Sequence, residues 1–162
     1  MKIRVTVTLA CLLALSACAT GSADYVRGDL RAQRRVLVAG TQSEFKHKVV
    51  DRVVQRLGEK DYFFSIVGLD GLNTEDLASY GAIVLVYSLP GGRMDGRVRA
   101  FINANKGNPK VIVFYSKGAE GPEPEDAVSS RNAADRRTAV TLLANAERYA
   151  DLLVTQIEKR FP

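Results

Sequence analysis

Two cysteines and one histidine are all the thiol and imidazole chemistry in these 162 residues. Cys18 closes the run Leu15-Ser16-Ala17-Cys18, directly behind an apolar stretch over residues 5–15 that only Thr6 and Thr8 interrupt. Two small residues let a peptidase bring the backbone close to the cut, and the thiol behind them is a nucleophile. Lys2 and Arg4 give the stretch a positive start, and it is shorter than the ~20 residues a bilayer span requires, so it reads as a removable export signal. Cys11 leaves with that signal, and with Cys18 engaged at the cut no thiol is expected to remain for a disulfide or a metal. His47 lies between Lys46 and Lys48, on the helix face opposite Phe45, Val49 and Val53, and reads as solvated. Zinc sites, Cys–His pairs and Ser–His–Asp triads are excluded on this count. No catalytic residue and no metal site is expected, and the chain leans away from being an enzyme.

The remaining charged groups offer binding chemistry at most. Arg93, Arg97 and Arg99 form a basic cluster, of which Arg93 is best placed to grip a carboxylate or phosphate with its planar guanidinium. Gly91-Gly92 reads as a tight turn, since no dinucleotide or Walker glycine spacing accompanies it. Glu120, Glu123, Glu125 and Asp126 share a loop with Pro122 and Pro124 but lack calcium-loop spacing. Arg27-Gly28-Asp29 is a chance tripeptide.

The first eighteen residues resemble the signal and lipobox of bacterial lipoproteins. That resemblance implies cleavage before Cys18, acylation there, and attachment to a membrane of the cell envelope through several acyl chains, each worth about 0.8 kcal/mol per buried CH₂. Ala19, where a retained lipoprotein would carry Asp, favours the outer over the inner membrane in a host with two. Once Lys2 and Arg4 are removed, Lys plus Arg falls from 23 to 21 against 18 acids, a net of +3. A charge that mild suits weak attraction to anionic lipid or wall polymer and does not suit nucleic acid.

Three segments are expected: a signal peptide at 1–17, an acylated cysteine and flexible tether at 18–33, and one α/β domain at 34–162. Residues 36–39 form a short apolar run stopped by Gly40, as a buried strand does. Phe45, Val49, Val50, Val53, Val54 and Leu57 recur with a 3.6-residue period, predicting a helix closed by Gly58. Residues 62–69, 82–87, 110–115 and, weakly, 127–130 read as further strands, with 82–87 apolar enough to be central. Residues 73–80 hold at most one or two helical turns. Met94, Val98, Phe101 and Ile102 give a short helix. A long one is expected from about Ala133 to Arg160, capped by Asn132 with Asp135 in a capping box. Strands alternating with helices imply parallel pairing and right-handed crossovers.

In its segments RVLVAGTQSEFKHKVVDRVVQRL, LNTEDLASYGAIVLVYSLPGGRMDGRVRAFINANKGNPKVIVFYSKG and DAVSSRNAAD, the chain resembles bacterial members of the flavodoxin-like superfamily. The resemblance implies a three-layer sandwich with a five-stranded parallel sheet of order 2-1-3-4-5, a shortened second helix and a missing or degenerate fourth. It carries no activity with it. Ligands of such folds sit outside the carboxyl ends of the strands, at the point where strand order reverses. In flavodoxins a Thr-x-Thr-Gly-x-Thr loop there holds the FMN phosphate. The matching stretch here is Thr41-Gln42-Ser43-Glu44-Phe45-Lys46, in which Glu44 replaces the glycine and Lys46 the last threonine. Thr41 and Glu44 read as a capping box that uses up the donors a phosphate needs, and Lys46 as a cation that offsets part of the repulsion. The two further loops contribute Ser88, Gly91, Gly92 and Arg93, and Ser116 and Gly118. Neither holds an aromatic residue to stack on a flavin, although Tyr87 and Tyr115 end the strands beside them. A binding or interaction module without FMN is therefore expected, its partner an envelope protein or a small anion. The competing expectation is an envelope flavoprotein carrying electrons or reducing a quinone, with Thr41, Ser43 and Ser88 on FMN.

Overall fold

The computed structural model describes residues 24–40, 43–89, 93–117, 127–130 and 139–162, with side chains for all of these except those within 116–144. Six strands form one sheet: β1 (Tyr25–Arg27), β2 (Arg34–Gly40), β3 (Tyr62–Gly68), β4 (Ala82–Leu89), β5 (Val111–Lys117) and β6 (Ala127–Ser130). The helices are α1 (Glu44–Gly58), α2 (Gly96–Ala104) and α3 (Ala139–Glu158). Strand order across the sheet is β1-β3-β2-β4-β5-β6, and every pairing is parallel except β1 with β3.

This corrects two expectations. The sheet is mixed and six-stranded, not five-stranded and all-parallel, because an antiparallel strand precedes the parallel set. That strand also shortens the tether expected to reach residue 33, for Tyr25, Val26 and Arg27 pair with Ile66, Ser65 and Phe64. The chain then turns a corner in which Ala32 N–H donates to the Asp29 carbonyl at 3.0 Å and Ala32 is buried. Gly28 makes that corner at φ +90, where a β-carbon would sit 2.1 Å from the Tyr62 carbonyl oxygen, so a side chain is excluded twice over.

The sheet is buried on both faces, and its strands accordingly read as continuous apolar runs rather than alternating ones. On one face α1 and α3 pack together over Val36, Val38, Phe64, Val84 and Phe114, contributing Phe45, Val49, Val53, Tyr149, Leu153 and Ile157. On the other, α2 supplies Val98 and Phe101 against Leu37, Leu85, Tyr87 and Tyr115. Fully burying a side chain of this size contributes about 1.5–3 kcal/mol. Between β3 and β4 there is no α-helix, only 3₁₀ turns at Gly71–Asn73 and Leu77–Ser79. Leu72 and Tyr80 cover the sheet there. The expected loss of the fourth helix falls in 118–126, and the Asn132–Asp135 cap in 131–138, both outside the described residues.

Arg56 of α1 clamps α3, donating to the Glu147 carboxylate at 2.5 Å and to Asp151. Arg52 joins Glu147 at 2.6 Å and Lys60 joins Glu158 at 2.9 Å, completing a stripe of ion pairs along the α1–α3 seam. Among the described residues no helix is long and apolar enough to cross a membrane.

Candidate functional site

β2 pairs with β3 on one side and β4 on the other, and the chain reaches them by crossovers in opposite directions. The strand order therefore reverses beside β2, and the loops at its carboxyl end frame the candidate site. Gly40 closes β2 there. A β-carbon on it would lie 1.9 Å from the Val86 carbonyl oxygen of β4, so this rim admits glycine alone.

Helix α1 is capped two residues later than the sequence suggests. Its N-cap is Ser43, in extended conformation (φ −143, ψ 156), with Oγ accepting from Lys46 N–H at 3.4 Å. Glu44 is the first helical residue, and its exposed carboxylate accepts from Lys48 Nζ at 2.7 Å, which holds it below the usual carboxylate range. The expected capping box between Thr41 and Glu44 is thus replaced by a serine cap and an i,i+4 ion pair. Glu44 does not seal the helix donors; it faces water beside a cation, where its field is screened.

Lys46 lies on the buried face of α1. Its side chain turns into the fold and is 2% exposed, with Nζ 2.6 Å from Ser88 Oγ at the end of β4. Burial lowers its pKa to about 8, because a charge in a poorly solvated place is disfavoured. The stem passes along a crevice of about 10 Å³ lined by Tyr25, Val38, Gly40, Val50, Ile66 and Val86. That is room for about one water. The arrangement gives a buried amine that tethers α1 to β4 and releases its proton in mildly alkaline solution.

Of the residues singled out in the sequence, Ser43, Lys46 and Ser88 are brought together. Thr41, Gln42, Gly91, Gly92 and Gly118 lie outside the described residues, as does the side chain of Ser116, whose backbone sits in register between Ser88 and Ser130. Arg93 is exposed on the approach to α2. Arg97 is not available to a ligand, for it donates to both Asp95 (2.8 Å) and Asp70 (2.5 Å). Asp95, the N-cap of α2, is lowered to about 2 by the Arg97 guanidinium and backbone N–H. Tyr87 and Tyr115 are fully buried and stacked on each other with ring centroids 6.0 Å apart. They belong to the core on the α2 face of the sheet. His47 is exposed.

Two features went unseen in the sequence. Tyr25 lines the crevice from an added strand too short to show a period. Opposite it, on the α2 face, Glu75 accepts from Ser65 (3.4 Å) and from the Tyr80 hydroxyl, next to Arg35, whose guanidinium lies 4.3 Å over the Phe63 ring. No spacing rule links those four positions, since they meet only through the 3₁₀ turns. Lys46 was legible: it stands three, four and seven residues before Val49, Val50 and Val53, on the buried stripe itself.

An α/β sandwich with this strand arrangement and helices on both faces is a flavodoxin-like fold. A solved structure bears this out. A flavodoxin from the domain Archaea superposes with a TM-score of 0.51 at 12% identity, over 76% of this chain and 99% of its own. Oxidised flavodoxin 2 from Bacillus cereus gives 0.49 at 16% identity, over 78% and 99%. No family model and no curated protein matches the sequence. The likeness is one of fold.

Proposed function

We propose that this chain is an envelope lipoprotein, acylated at Cys18, whose flavodoxin-like domain is a non-enzymatic binding module that does not hold FMN. The observation that carries the second half is the Lys46–Ser88 contact. A flavin phosphate at this strand end needs free donors from the first turn of α1 and hydroxyls facing the loop. Here Lys46 N–H is engaged by Ser43, and the Lys46 amine and Ser88 hydroxyl meet inside the fold. The tyrosines next to the second and third loops are buried against each other, so no ring stands ready to sandwich an isoalloxazine. The residues present therefore fit FMN poorly. Exposed Arg93 at the same end suits a carboxylate or phosphate on a partner protein or small anion. The first half is supported by the Leu15-Ser16-Ala17-Cys18 run.

A fluorescence titration tests the cofactor claim. The purified protein is expected to be colourless and to leave added FMN unquenched. A yellow preparation with one FMN per chain absorbing near 450 nm overturns this reading in favour of an envelope flavoprotein.

A further inference from the structure

We propose that β1 and the corner following it form a surface that lies against an anionic lipid bilayer. The inference rests on the lipoprotein reading but goes beyond it, because it fixes which face of the domain meets the membrane. Only seven residue steps separate Cys18 from Tyr25, where the edge strand begins. Fully extended, that length spans about 25 Å. A chain acylated at Cys18 therefore keeps the β1 edge within reach of the headgroups.

The composition of that edge fits an interface. Val26 is 53% exposed and Leu30 70%; elsewhere among the described residues only Leu152 stands out as a large exposed apolar side chain. Around the first two lie exposed Arg27, Arg31 and Arg34. Arg27 lies over the Tyr25 ring at 5.2 Å and Arg34 over Tyr62 at 5.3 Å, so both guanidinium groups are supported at the edge. The acids of the same stretch are turned to backbone: Asp24 accepts from Gly68 N–H and Asp29 from Arg31 N–H, each at 2.8 Å. Apolar side chains ringed by arginines, on a short leash to an acyl anchor, combine the two attractions that hold a protein surface on anionic lipid.

The full precursor carrying Leu30→Cys, and separately Leu152→Cys, is produced in bacteria, labelled with an environment-sensitive maleimide dye, and reconstituted into phosphatidylcholine vesicles containing phosphatidylglycerol and a lipid-borne quencher. The Leu30 dye is expected to be quenched severalfold more than the Leu152 dye. Adding Arg27→Gln and Arg31→Gln, or omitting phosphatidylglycerol, is expected to bring it down towards the Leu152 level. Equal quenching at the two positions, in protein that does incorporate a palmitate analogue, overturns this orientation and leaves the lipoprotein reading standing. Failure to incorporate the analogue removes the leash and overturns both.

Discussion

Lys46 and Ser88 join α1 to the end of β4 through a 2.6 Å hydrogen bond across the reversal point of the sheet. The amine's proton affinity, lowered to about 8 by burial, makes this contact a source of pH-dependent stability. Below pH 8 the folded and unfolded chains both carry the charge, and the cost of burying it is fully present. From pH 8 upward the folded state sheds the proton while the unfolded lysine, near 10.5, retains it. Stability therefore rises with pH, by up to about 1.4 kcal/mol per unit. Above pH 10 the tyrosines reverse the trend. Burial raises Tyr25, Tyr62, Tyr80 and Tyr87, so the unfolded chain loses those protons first. Urea midpoints measured from pH 7 to 10 are expected to climb for the natural chain and stay flat for Lys46→Met.

Gly40→Ala is expected to cost about 3 kcal/mol or more, since the new methyl meets the backbone of β4, which cannot swing aside as a side chain would. Thermal unfolding of the two proteins side by side measures it. A loss below 1 kcal/mol would mean that β2 and β4 separate easily at this rim.

Tyr87→Phe is expected to be neutral or to stabilise by about 1 kcal/mol. The Tyr87 hydroxyl is buried without a hydrogen-bond partner among the described residues, and burial pushes its pKa up to about 12. Removing an unsatisfied polar atom while keeping the ring stacked on Tyr115 leaves the packing intact. Denaturant titration at neutral pH decides it.

Arg56→Met is expected to cost about 1 kcal/mol, and less in high salt, because the Glu147 and Asp151 carboxylates that it holds are partly open to water. Unfolding midpoints at low and high ionic strength give the comparison.

Cys18→Ala is expected to abolish acyl labelling and membrane pelleting while leaving the unfolding midpoint unchanged, because the described fold begins six residues further on. Labelling with a palmitate analogue and detergent partition read the first effect.

Much of the fold was legible because the physics is local. The strand now numbered β4 is apolar throughout and sits inside the sheet, and the stripe from Phe45 to Leu57 announces α1 by its period. β1 was not legible, since three residues next to a polar stretch carry no period and are ordered only by pairing with β3. Ser43, Lys46 and Ser88, singled out in the sequence, do meet at the reversal point, but in a geometry that the sequence does not give. Thr41, Ser43 and Glu44 all have capping chemistry, and the sequence does not say which begins the helix; the structure selects Ser43. Lysine is rarely buried, so its type points Lys46 to a loop, while its position on the apolar stripe points it inward, and the structure follows the stripe.

β1 has one more consequence, for how crowded copies of the chain behave. Without it, β3 would end the sheet, presenting Tyr62, Phe63, Phe64, Ser65, Ile66 and Val67 with a row of unpaired backbone groups. A long apolar border of that kind recruits a like strand from another molecule and seeds aggregates. The short strand bearing Arg27 occupies that border and leaves a new one only three residues long. By pairing with β3, β1 thus serves as a guard rail, keeping crowded copies of the domain from zipping together.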